Sequence, residues 1–313
     1  MNTGAATLPR ASEPALNAPH AVTRGHSLSS DLSELTKARL TVMVLLTTLA
    51  GFCLAHHGAI SWLTLFHTLL GTALVAVCSS IFNQALERDT DALMTRTQTR
   101  PFVTRRLPLR ETIVAGCVLG AIGLAELDWF VNGLTALLSA LTLVIYAFIY
   151  TPLKRISEIN TLVGAIPGAL PPLIGATAAT GSLNGAGWSL FALLACWQLP
   201  HFYAIAWMYR DDYRHAGLRM VSTNDDTGRR TAIHAVVSAA ILLPVSWLPY
   251  LTGNSGLLYA AVATVAGLAF LAAAIRFARQ ADRPHARKLF FTSISYLPVI
   301  LIALAVDVSL GNW

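Results

Sequence analysis

Residues 60–91 read ISWLTLFHTLLGTALVAVCSSIFNQALERDTD, an apolar run that continues without interruption into a polar, acidic end. The apolar part, residues 60–82, is long enough to cross the hydrocarbon core of a bilayer as a helix. Eight more apolar segments flank it, at about 40–56, 112–127, 131–150, 160–179, 188–208, 232–251, 256–275 and 290–310. Because none shows the alternation typical of strands, the sequence predicts an all-α membrane protein with nine transmembrane helices.

The composition is also that of a membrane protein. Hydrophobic residues make up 55% of the 313 residues and charged residues 12%, about half the charged share of a soluble domain. So little charge cannot cover a water-facing surface. Together with a mean hydropathy of +0.58, it argues against a disordered chain, a coiled coil and a nucleic-acid-binding protein. Residues 1–30 contain no apolar run and are predicted to be a disordered cytoplasmic tail before a single nine-helix domain over 31–313.

The cationic residues predict the orientation of the helices. All 22 Lys and Arg residues fall in the N-terminal segment or in the loops after the second, fourth, sixth and eighth predicted spans. Because cytoplasmic loops carry the excess of Lys and Arg, the N-terminus is predicted to be cytoplasmic and the C-terminus external. The acids predicted to lie on the external side, where we expect them to be solvated, are Glu126, Asp128 and Asp307.

Three oxygen-bearing side chains follow one another at the end of the second span. Asn83, Glu87 and Asp91 are four residues apart, which places them on one face of a helix, whereas Asp89 points elsewhere. Carboxylate and amide oxygens suit Mg²⁺, which takes its remaining ligands from water and phosphate. A solvated helix end with arginine counter-ions would explain the same pattern. The six arginines that follow the span favour a site for a diphosphate–Mg²⁺ complex.

A second acidic motif, Asp211-Asp212, follows the sixth span, which also carries His201. If that helix continues, His201 and Asp212 lie on nearly the same face, unless Pro200 bends it. Polar side chains are costly inside a membrane and usually face an internal cavity. His201 therefore has two interpretations, a contact with a bound substrate or a hydrogen bond that packs two helices.

The segment YTPLKR, residues 150–155, lies between the two acidic motifs and is followed by Asn160. Lys154 and Arg155 are the only cations of this short loop, where they serve either a substrate or the topology of the chain. The fifth span, which comes next, contains six helix-breaking residues: Gly164, Pro167, Gly168, Pro171, Pro172 and Gly175. So many of them predict a distorted helix that lines a cavity.

Longer segments complete the pattern. They are LTKARLTVMVLLTTLAGF at 35–52, NQALERDTDALMTRTQTRP at 83–101, PGALPPLIGA at 167–176 and WQLPHFYAIAWMYRDDYRHAGLRM at 197–220, together with YTPLKR. Over about residues 31–310 the chain resembles the UbiA-type intramembrane prenyltransferases, and within them the branch that farnesylates haem B.

This resemblance implies helices around a central apolar cavity, and transfer of the farnesyl group of farnesyl diphosphate to the vinyl group of haem B. The products would be haem O, used in haem–copper terminal oxidases, and diphosphate. The resemblance implies Mg²⁺ as the cofactor, with four metal ligands that are also catalytic: Asn83, Glu87, Asp91 and Asp212. Lys154 would be a further catalytic residue. The residues implied to bind substrates are Lys37, Arg96, Arg100, Tyr150, Arg155, Asn160, His201 and Asp211, with His201 a candidate ligand of the haem iron.

The resemblance also implies a multi-pass protein of the bacterial inner membrane whose active site faces the cytoplasm. Its partners would be the lipid bilayer, haem B and farnesyl diphosphate, with haem A synthase or oxidase assembly proteins as candidate protein partners. A prenyltransferase for an aromatic quinone precursor and, in a different class, a polytopic transporter remain alternatives. A transporter is expected to place its polar site near mid-membrane, whereas the acidic motifs of this chain lie at one predicted membrane face.

Overall fold

The computed structural model describes residues 27–56 and 58–311, and within these ranges every regular element is helical. The predicted all-α fold is therefore confirmed. The α-helices are α1 (Leu28–Leu35), α2 (Ala38–Ala55), α3 (Trp62–Asp91), α4 (Leu109–Phe130), α5 (Gly133–Val144), α6 (Thr151–Leu153), α7 (Asn160–Thr180), α8 (Gly185–Met208), α9 (Arg210–His215), α10 (Arg229–Val245), α11 (Leu248–Leu251), α12 (Leu257–Gln280) and α13 (Arg283–Leu310). A π-helix, Ile145–Tyr150, joins α5 to α6, and a 3₁₀-helix covers Val221–Asn224.

In the described part of the chain, nine helical segments are long and apolar enough to cross a membrane, which confirms the predicted number. Six of them are α2, α3, α4, α7, α8 and α12. The others are α13 and two composite segments, Gly133–Leu153 and Arg229–Leu251. The largest difference from the predicted bounds is at α3, which stays helical through polar sequence as far as Asp91.

The first helix lies beside the polar end of α3. α1 begins at Leu28, inside the region predicted to be disordered; the rest of that prediction concerns residues 1–26, which lie outside the described residues, as do residues 312–313 at the C-terminus. Arg106 pairs with Asp31 of α1 at 2.9 Å. The side-chain amide of Gln84 in α3 donates to two carbonyls at the end of α1, at 3.0 and 2.8 Å. These polar contacts and the burial of Leu35 against Ile81 and Phe102 hold the helix.

α7 is the central helix of the bundle and packs against α2, α5 and α8. Its crossing with α2 is very close, because a Cβ atom at Gly51 would lie 1.9 Å from the carbonyl oxygen of Pro172. A Cβ atom at Gly175 would likewise lie 1.8 Å from the carbonyl oxygen of Thr48. Only glycine allows such an approach of two backbones. The helix is unbroken over 160–180 despite its prolines, and it lines a cavity as predicted.

An apolar core fills the space between α7, α8, α10, α12 and α13. Its largest fully buried side chains include Tyr259, Phe270 and Phe277. Large apolar side chains such as Val265 and Ile302 are exposed on the outer faces of the spans, where a bilayer would cover them. A cavity lies on the side of the bundle away from this core, among α2, α3, α5, α7 and α8.

Two of the three acids expected to be solvated are not. Asp307 is buried, and its carboxylate accepts a hydrogen bond from the backbone N–H of Gly256, just before α12. Glu126 lies 2.6 Å from His67 Nδ1 across the interface of α3 and α4. Only Asp128, of these three, is exposed. The prediction was wrong because each of these two carboxylates meets a polar partner from a neighbouring helix, the backbone N–H of Gly256 before α12 for Asp307 and the His67 ring for Glu126.

Candidate active site

Asn83, Glu87 and Asp91 all point into the protein from the last turns of α3. Their exposed fractions are 0%, 9% and 1%, whereas Asp89 is exposed. The prediction that the three share one face is confirmed. Because the helix is unbroken as far as Asp91, each step of four residues separates these side chains by about 6 Å along the axis.

Lys154, just after α6, forms an ion pair with Glu87 inside the protein. Its Nζ lies 2.6 Å from Glu87 Oε1, and the two side chains are 15% and 12% exposed. Burial alone would lower the pKa of Lys154, but attraction to the Glu87 carboxylate outweighs it, so the pKa lies above its ordinary value. Lys154 therefore stays protonated at physiological pH. Of its two predicted roles, the structure favours a place in a site over a purely topological one.

Asp91 is the more enclosed of the two carboxylates. Arg100 contacts its Oδ2 atom and lies 3.8 Å from Glu87 Oε2. The other oxygen, Oδ1, is buried, and no group among the described residues donates a hydrogen bond to it. A buried carboxylate oxygen without a donor is costly unless a cation or a donor joins it.

The side chains present fit a magnesium ion that takes some of its ligands from the protein and the others from a bound substrate. The described residues contain no group of three His, Cys, Asp or Glu side chains that could hold a metal ion by themselves. Two carboxylates and an amide on one helix face are nevertheless a usual protein share for Mg²⁺, whose other ligands are water and phosphate oxygens. The oxygen without a donor on Asp91 is the atom best placed for such an ion.

A π-helical turn directs two tyrosines toward the same site. Tyr146 and Tyr150 are the second and last residues of this turn, and their rings stack with centroids 5.7 Å apart. Lys37, which follows α1, donates to Asn83 Oδ1 and to the Tyr146 hydroxyl, the latter at 3.0 Å. Its backbone is left-handed, with φ +47°. Both features are uncommon and tend to occur at functional sites.

Two adjoining cavities meet at these side chains. The polar one, of about 220 Å³, is lined by Glu87, Asp91 and the cations around them. The other, of about 240 Å³, is mostly apolar and lies between α2, α3, α5, α7 and α8; we call it the chamber. Tyr150, Lys154 and Phe202 line both cavities. A ligand with a charged head and an apolar tail fits this arrangement.

Comparison with known proteins identifies the family. The UbiA prenyltransferase family matches residues 44–295. The chain belongs to the UbiA prenyltransferase family. Proteins named protoheme IX farnesyltransferase from Solibacter usitatus and Koribacter versatilis are 42% and 41% identical over 88% and 90% of this chain, and over 98% and 94% of their own. A mitochondrial protein of that name from Arabidopsis thaliana is 36% identical over 90% of this chain and 65% of its own.

Solved structures of low identity share the fold of this UbiA-family chain. A structure of digeranylgeranylglyceryl phosphate synthase has a TM-score of 0.76 at 14% identity, and the match covers 90% of this chain and 98% of that one. A UbiA homolog from Archaeoglobus fulgidus, bound to GPP and Mg²⁺, has a TM-score of 0.61 at 16% identity, covering 90% and 100%. The chain is thus an integral, multi-pass membrane prenyltransferase.

The second acidic motif of this prenyltransferase is not on the helix that carries His201. α8 ends before Tyr209, whose φ of −112° and ψ of 21° break the helix, and α9 begins after it. The helix therefore does not continue from His201 to Asp212, and the condition for a common face is not met. At this break the Tyr209 ring packs under the guanidinium of Arg96, whose Cζ atom lies 5.4 Å from the ring centroid. Arg96 lines the polar cavity.

Asp211 and Asp212 lie outside the lining of the polar cavity. Asp212 accepts a hydrogen bond of 3.3 Å from the Thr95 hydroxyl, which places it at the edge of the site, beside Arg96. Asp211 points to solvent: its side chain is 85% exposed and lies 3.6 Å from Arg210. The structure thus brings Asp212 near the predicted site but does not bring Asp211 to it.

The side chains of Asn160 and Arg155 donate hydrogen bonds to backbone carbonyls. Asn160 lines the polar cavity, but its Nδ2 atom donates to the backbone carbonyls of Ser157 and Arg219, both at 2.7 Å. This ties the start of α7 to the segment after α9. Arg155 is exposed and donates to the backbone carbonyl of Leu86 at 3.2 Å. Arg155 is part of the lining of neither the polar cavity nor the chamber.

His201 packs between helices. Its Nδ1 atom lies 2.7 Å from the Ser293 hydroxyl of α13. Its ring stacks on Trp197 and Phe290 at centroid distances of 5.4 and 5.0 Å. It lines neither the polar cavity nor the chamber. Of the two interpretations of His201, the structure favours the packing hydrogen bond over the predicted substrate contact.

Two residues of the site were missed. Thr151 accepts a hydrogen bond of 2.9 Å from Asn83 Nδ2 and donates to the Tyr146 carbonyl at 2.8 Å, which turns the amide oxygen of Asn83 toward Lys37. Tyr146 contacts Lys37 directly. For Tyr146, the sequence signal was its spacing of four residues from Tyr150. The π-helical turn that brings both rings to the site cannot be recognised in the sequence.

Proposed function

We propose that this enzyme transfers the farnesyl group of farnesyl diphosphate to a vinyl group of haem B, which gives haem O and diphosphate. The observation that supports it most directly is the junction of a charged cavity with an apolar chamber at Tyr150, Lys154 and Phe202. This geometry suits a prenyl diphosphate. The names of relatives 36–42% identical over about nine-tenths of the chain support haem B as the acceptor.

Asn83, Glu87 and Asp91 would each give an oxygen ligand to Mg²⁺ bound along the diphosphate, with Asp212 as a further ligand from the edge of the site. Bound there, the ion would neutralise charge on the diphosphate and so weaken its bond to C1 of the farnesyl group. The UbiA homolog from Archaeoglobus fulgidus that binds GPP and Mg²⁺ supports this choice of metal. Asp91 would contribute its Oδ1 atom, which has no donor among the described residues.

The cations of the site would stabilise the leaving group. Lys154, Arg100 and Lys37 contact the carboxylates and amide of α3, and Arg96 lines the same cavity. When the diphosphate binds with its metal ion, these donors would turn to the phosphate oxygens. The C1–O bond then breaks and both of its electrons leave with the diphosphate. Fixed positive charges at the place where negative charge develops lower this barrier.

The chamber would hold the farnesyl chain and protect the cation formed at C1. Its walls come from five helices, and the rings of Tyr150 and Phe202 stand at its entrance. The π electrons of the haem vinyl group form the new bond to C1, and the positive charge moves to the adjacent vinyl carbon. One water molecule adds to that carbon and loses a proton, which gives the hydroxyethylfarnesyl group of haem O.

We also propose the setting of the reaction. The separation of the 22 Lys and Arg residues supports an active site at the cytoplasmic face and a C-terminus outside. The bacterial relatives support the inner membrane as the location. Residues 31–313 would form the single catalytic domain. Haem A synthase or oxidase assembly proteins would receive haem O. A prenyltransferase for an aromatic quinone precursor would use the same donor site, and the relatives' names favour haem B over that acceptor.

A direct assay tests this function. Membranes that contain the protein are incubated with farnesyl diphosphate, Mg²⁺ and an equimolar mixture of haem B and 4-hydroxybenzoate, and the products are identified by mass. We expect haem O from wild-type membranes and about 1,000-fold less from membranes with the Asp91→Asn variant at equal protein level. Farnesylated 4-hydroxybenzoate without haem O would contradict the proposed acceptor.

A further inference from the structure

The chamber contains two hydroxyl groups that its own helices leave unsatisfied. Thr72 of α3 and Ser139 of α5 both line it and are 4% and 1% exposed. Neither hydroxyl has a hydrogen-bond partner among the described residues. Two neighbours in the same chamber differ in this respect: Thr142 donates to the Leu138 carbonyl at 2.8 Å, and Ser79 donates to the backbone carbonyl of residue 75 at 2.9 Å.

These two hydroxyls lie at equal depth, far from the charged site. Thr72 precedes Glu87 by fifteen residues and Ser139 precedes Lys154 by fifteen, and Glu87 and Lys154 form the ion pair at the chamber entrance. Fifteen residues of helix correspond to about 22 Å, slightly less along the π-helical turn. On their own helices, Thr72 and Ser139 are the chamber-lining residues farthest from the ion pair, as Ile174 is on α7. We call these three residues the floor.

The estimated chamber depth of about 22 Å lies between the extended lengths of farnesyl diphosphate and geranylgeranyl diphosphate, each measured with its diphosphate. At bond lengths near 1.5 Å, an extended farnesyl chain measures about 14 Å and a geranylgeranyl chain about 19 Å. A diphosphate at the ion pair occupies part of the 22 Å depth estimated from the helix rise. A farnesyl chain therefore ends short of the floor, whereas a fourth isoprene unit reaches it.

Hydroxyl groups without protein partners in a cavity are expected to bind water. A fourth isoprene unit would displace that water and could not replace its hydrogen bonds, which weakens binding. We propose that the Thr72 and Ser139 hydroxyls make the floor polar, and that this polarity selects donors of three isoprene units over donors of four. The inference rests on the proposed function, because it assumes that the chamber holds the prenyl chain of a diphosphate.

Binding of unreactive donors tests the inference without the acceptor. The purified protein with Mg²⁺ is titrated with farnesyl and geranylgeranyl thiolodiphosphates, and the ratio of the two dissociation constants is measured. Wild type should prefer the farnesyl analogue. The variant Thr72→Val/Ser139→Ala, which removes both free hydroxyls at nearly constant volume, should shift the ratio toward the geranylgeranyl analogue about tenfold. The matched control, Thr142→Val/Ser79→Ala, should keep the wild-type ratio, because its hydroxyls are already satisfied by their own helices.

Two results would overturn the polar floor. One is an unchanged ratio in the Thr72→Val/Ser139→Ala variant, with Ile174→Ala alone shifting it, which would make the floor steric. The other is an equal shift in the control. If the double variant does not fold, the comparison of Thr72→Val with Thr72→Ser, which keeps the hydroxyl, gives the same test. A protein that shows the expected ratios but forms no haem O would contradict the proposed function, and the proposed selection by the floor would still hold.

Discussion

The two acidic motifs of this chain contain similar residues at the ends of two membrane helices, yet they have opposite environments. α3 stays helical to its last acid, so Glu87 and Asp91 are carried inside the bundle and meet Lys154 and Arg100. α8 breaks at Tyr209 before its acids, and Asp211 is left in solvent. The course of the helix and the face on which a residue lies, rather than the type of residue, decide which carboxylates are buried, since Asp89 on the opposite face of α3 is exposed.

This difference has an energetic consequence. A carboxylate inside the bundle must be paired, and removing its partner is strongly destabilising. An exposed pair such as Asp211 and Arg210 contributes little. We therefore expect the α3 motif to be essential for the reaction and the motif after α8 to assist from the edge. The variants below test this contrast, beginning with the largest expected effect.

Asp91→Asn should lower haem O formation about 1,000-fold, because it removes the charge best placed for the metal ion. The matched variant is Asp89→Asn on the same helix, where the carboxylate is exposed; it should stay within about twofold of wild type. Initial rates in membranes with equal protein level measure both. If Asp89→Asn were the more damaging substitution, the assignment of one helix face to the site would be wrong.

Lys154→Met should destabilise the protein by about 3 kcal/mol, because Glu87 is then a buried charge without its closest partner. Adding Glu87→Gln to this variant should restore most of the stability but none of the activity, since both side chains are needed at the diphosphate. Thermal unfolding in detergent and haem O assays separate the two effects. A double variant no more stable than Lys154→Met would show that the ion pair does not account for the loss.

Asp212→Asn should lower activity about tenfold, less than Asp91→Asn, because Asp212 stands at the edge of the site beside Thr95. Asp211→Asn should change activity by less than twofold, since its side chain points to solvent. The two adjacent acids thus serve as controls for each other. Equal losses in both variants would mean that the segment after α8 rearranges when substrate binds.

His201→Gln should have the smallest effect. A hydrogen bond between membrane helices contributes about 1 kcal/mol, and Gln can still reach Ser293, the present partner of His201. We expect a small decrease in unfolding temperature, unchanged haem O formation and an unchanged Soret band of protein loaded with haem B. A large loss of haem O from a stable protein with a shifted Soret band would return His201 to the role of iron ligand.

The nine spans and the buried face of α3 could be predicted because both follow from local periodicity. Apolar length fixes the number of spans, and a spacing of four fixes which oxygens share a face with Asp91 and which, like Asp89, do not. Neither depends on a distant part of the chain. The grouping of Lys and Arg in alternate loops is equally local, and it predicts one membrane face for Lys154 and the acidic end of α3, but it does not predict the ion pair of Lys154 with Glu87.

Features that depend on a neighbouring helix could not be predicted. The hydrogen-bond partner of His201 is Ser293, ninety-two residues later, and nothing near His201 indicates it. Asp307 was expected in solvent because nothing near it in the sequence indicates that it accepts a hydrogen bond from Gly256, at the start of a different helix. The break at Tyr209 and the π-helical turn that presents Tyr146 depend on backbone register, which the hydrophobic pattern does not record.

Binding of farnesyl thiolodiphosphate to the purified protein, with and without Mg²⁺, tests most directly whether the ion-paired face of α3 is a diphosphate–metal site. Wild type should bind the analogue at least about tenfold more tightly with Mg²⁺ than without it, because the diphosphate and the Asp91 carboxylate share the ion. Asp91→Asn should lose this dependence while remaining folded. Binding that ignores Mg²⁺ in the wild-type protein, or that keeps its Mg²⁺ dependence in Asp91→Asn, would contradict the account.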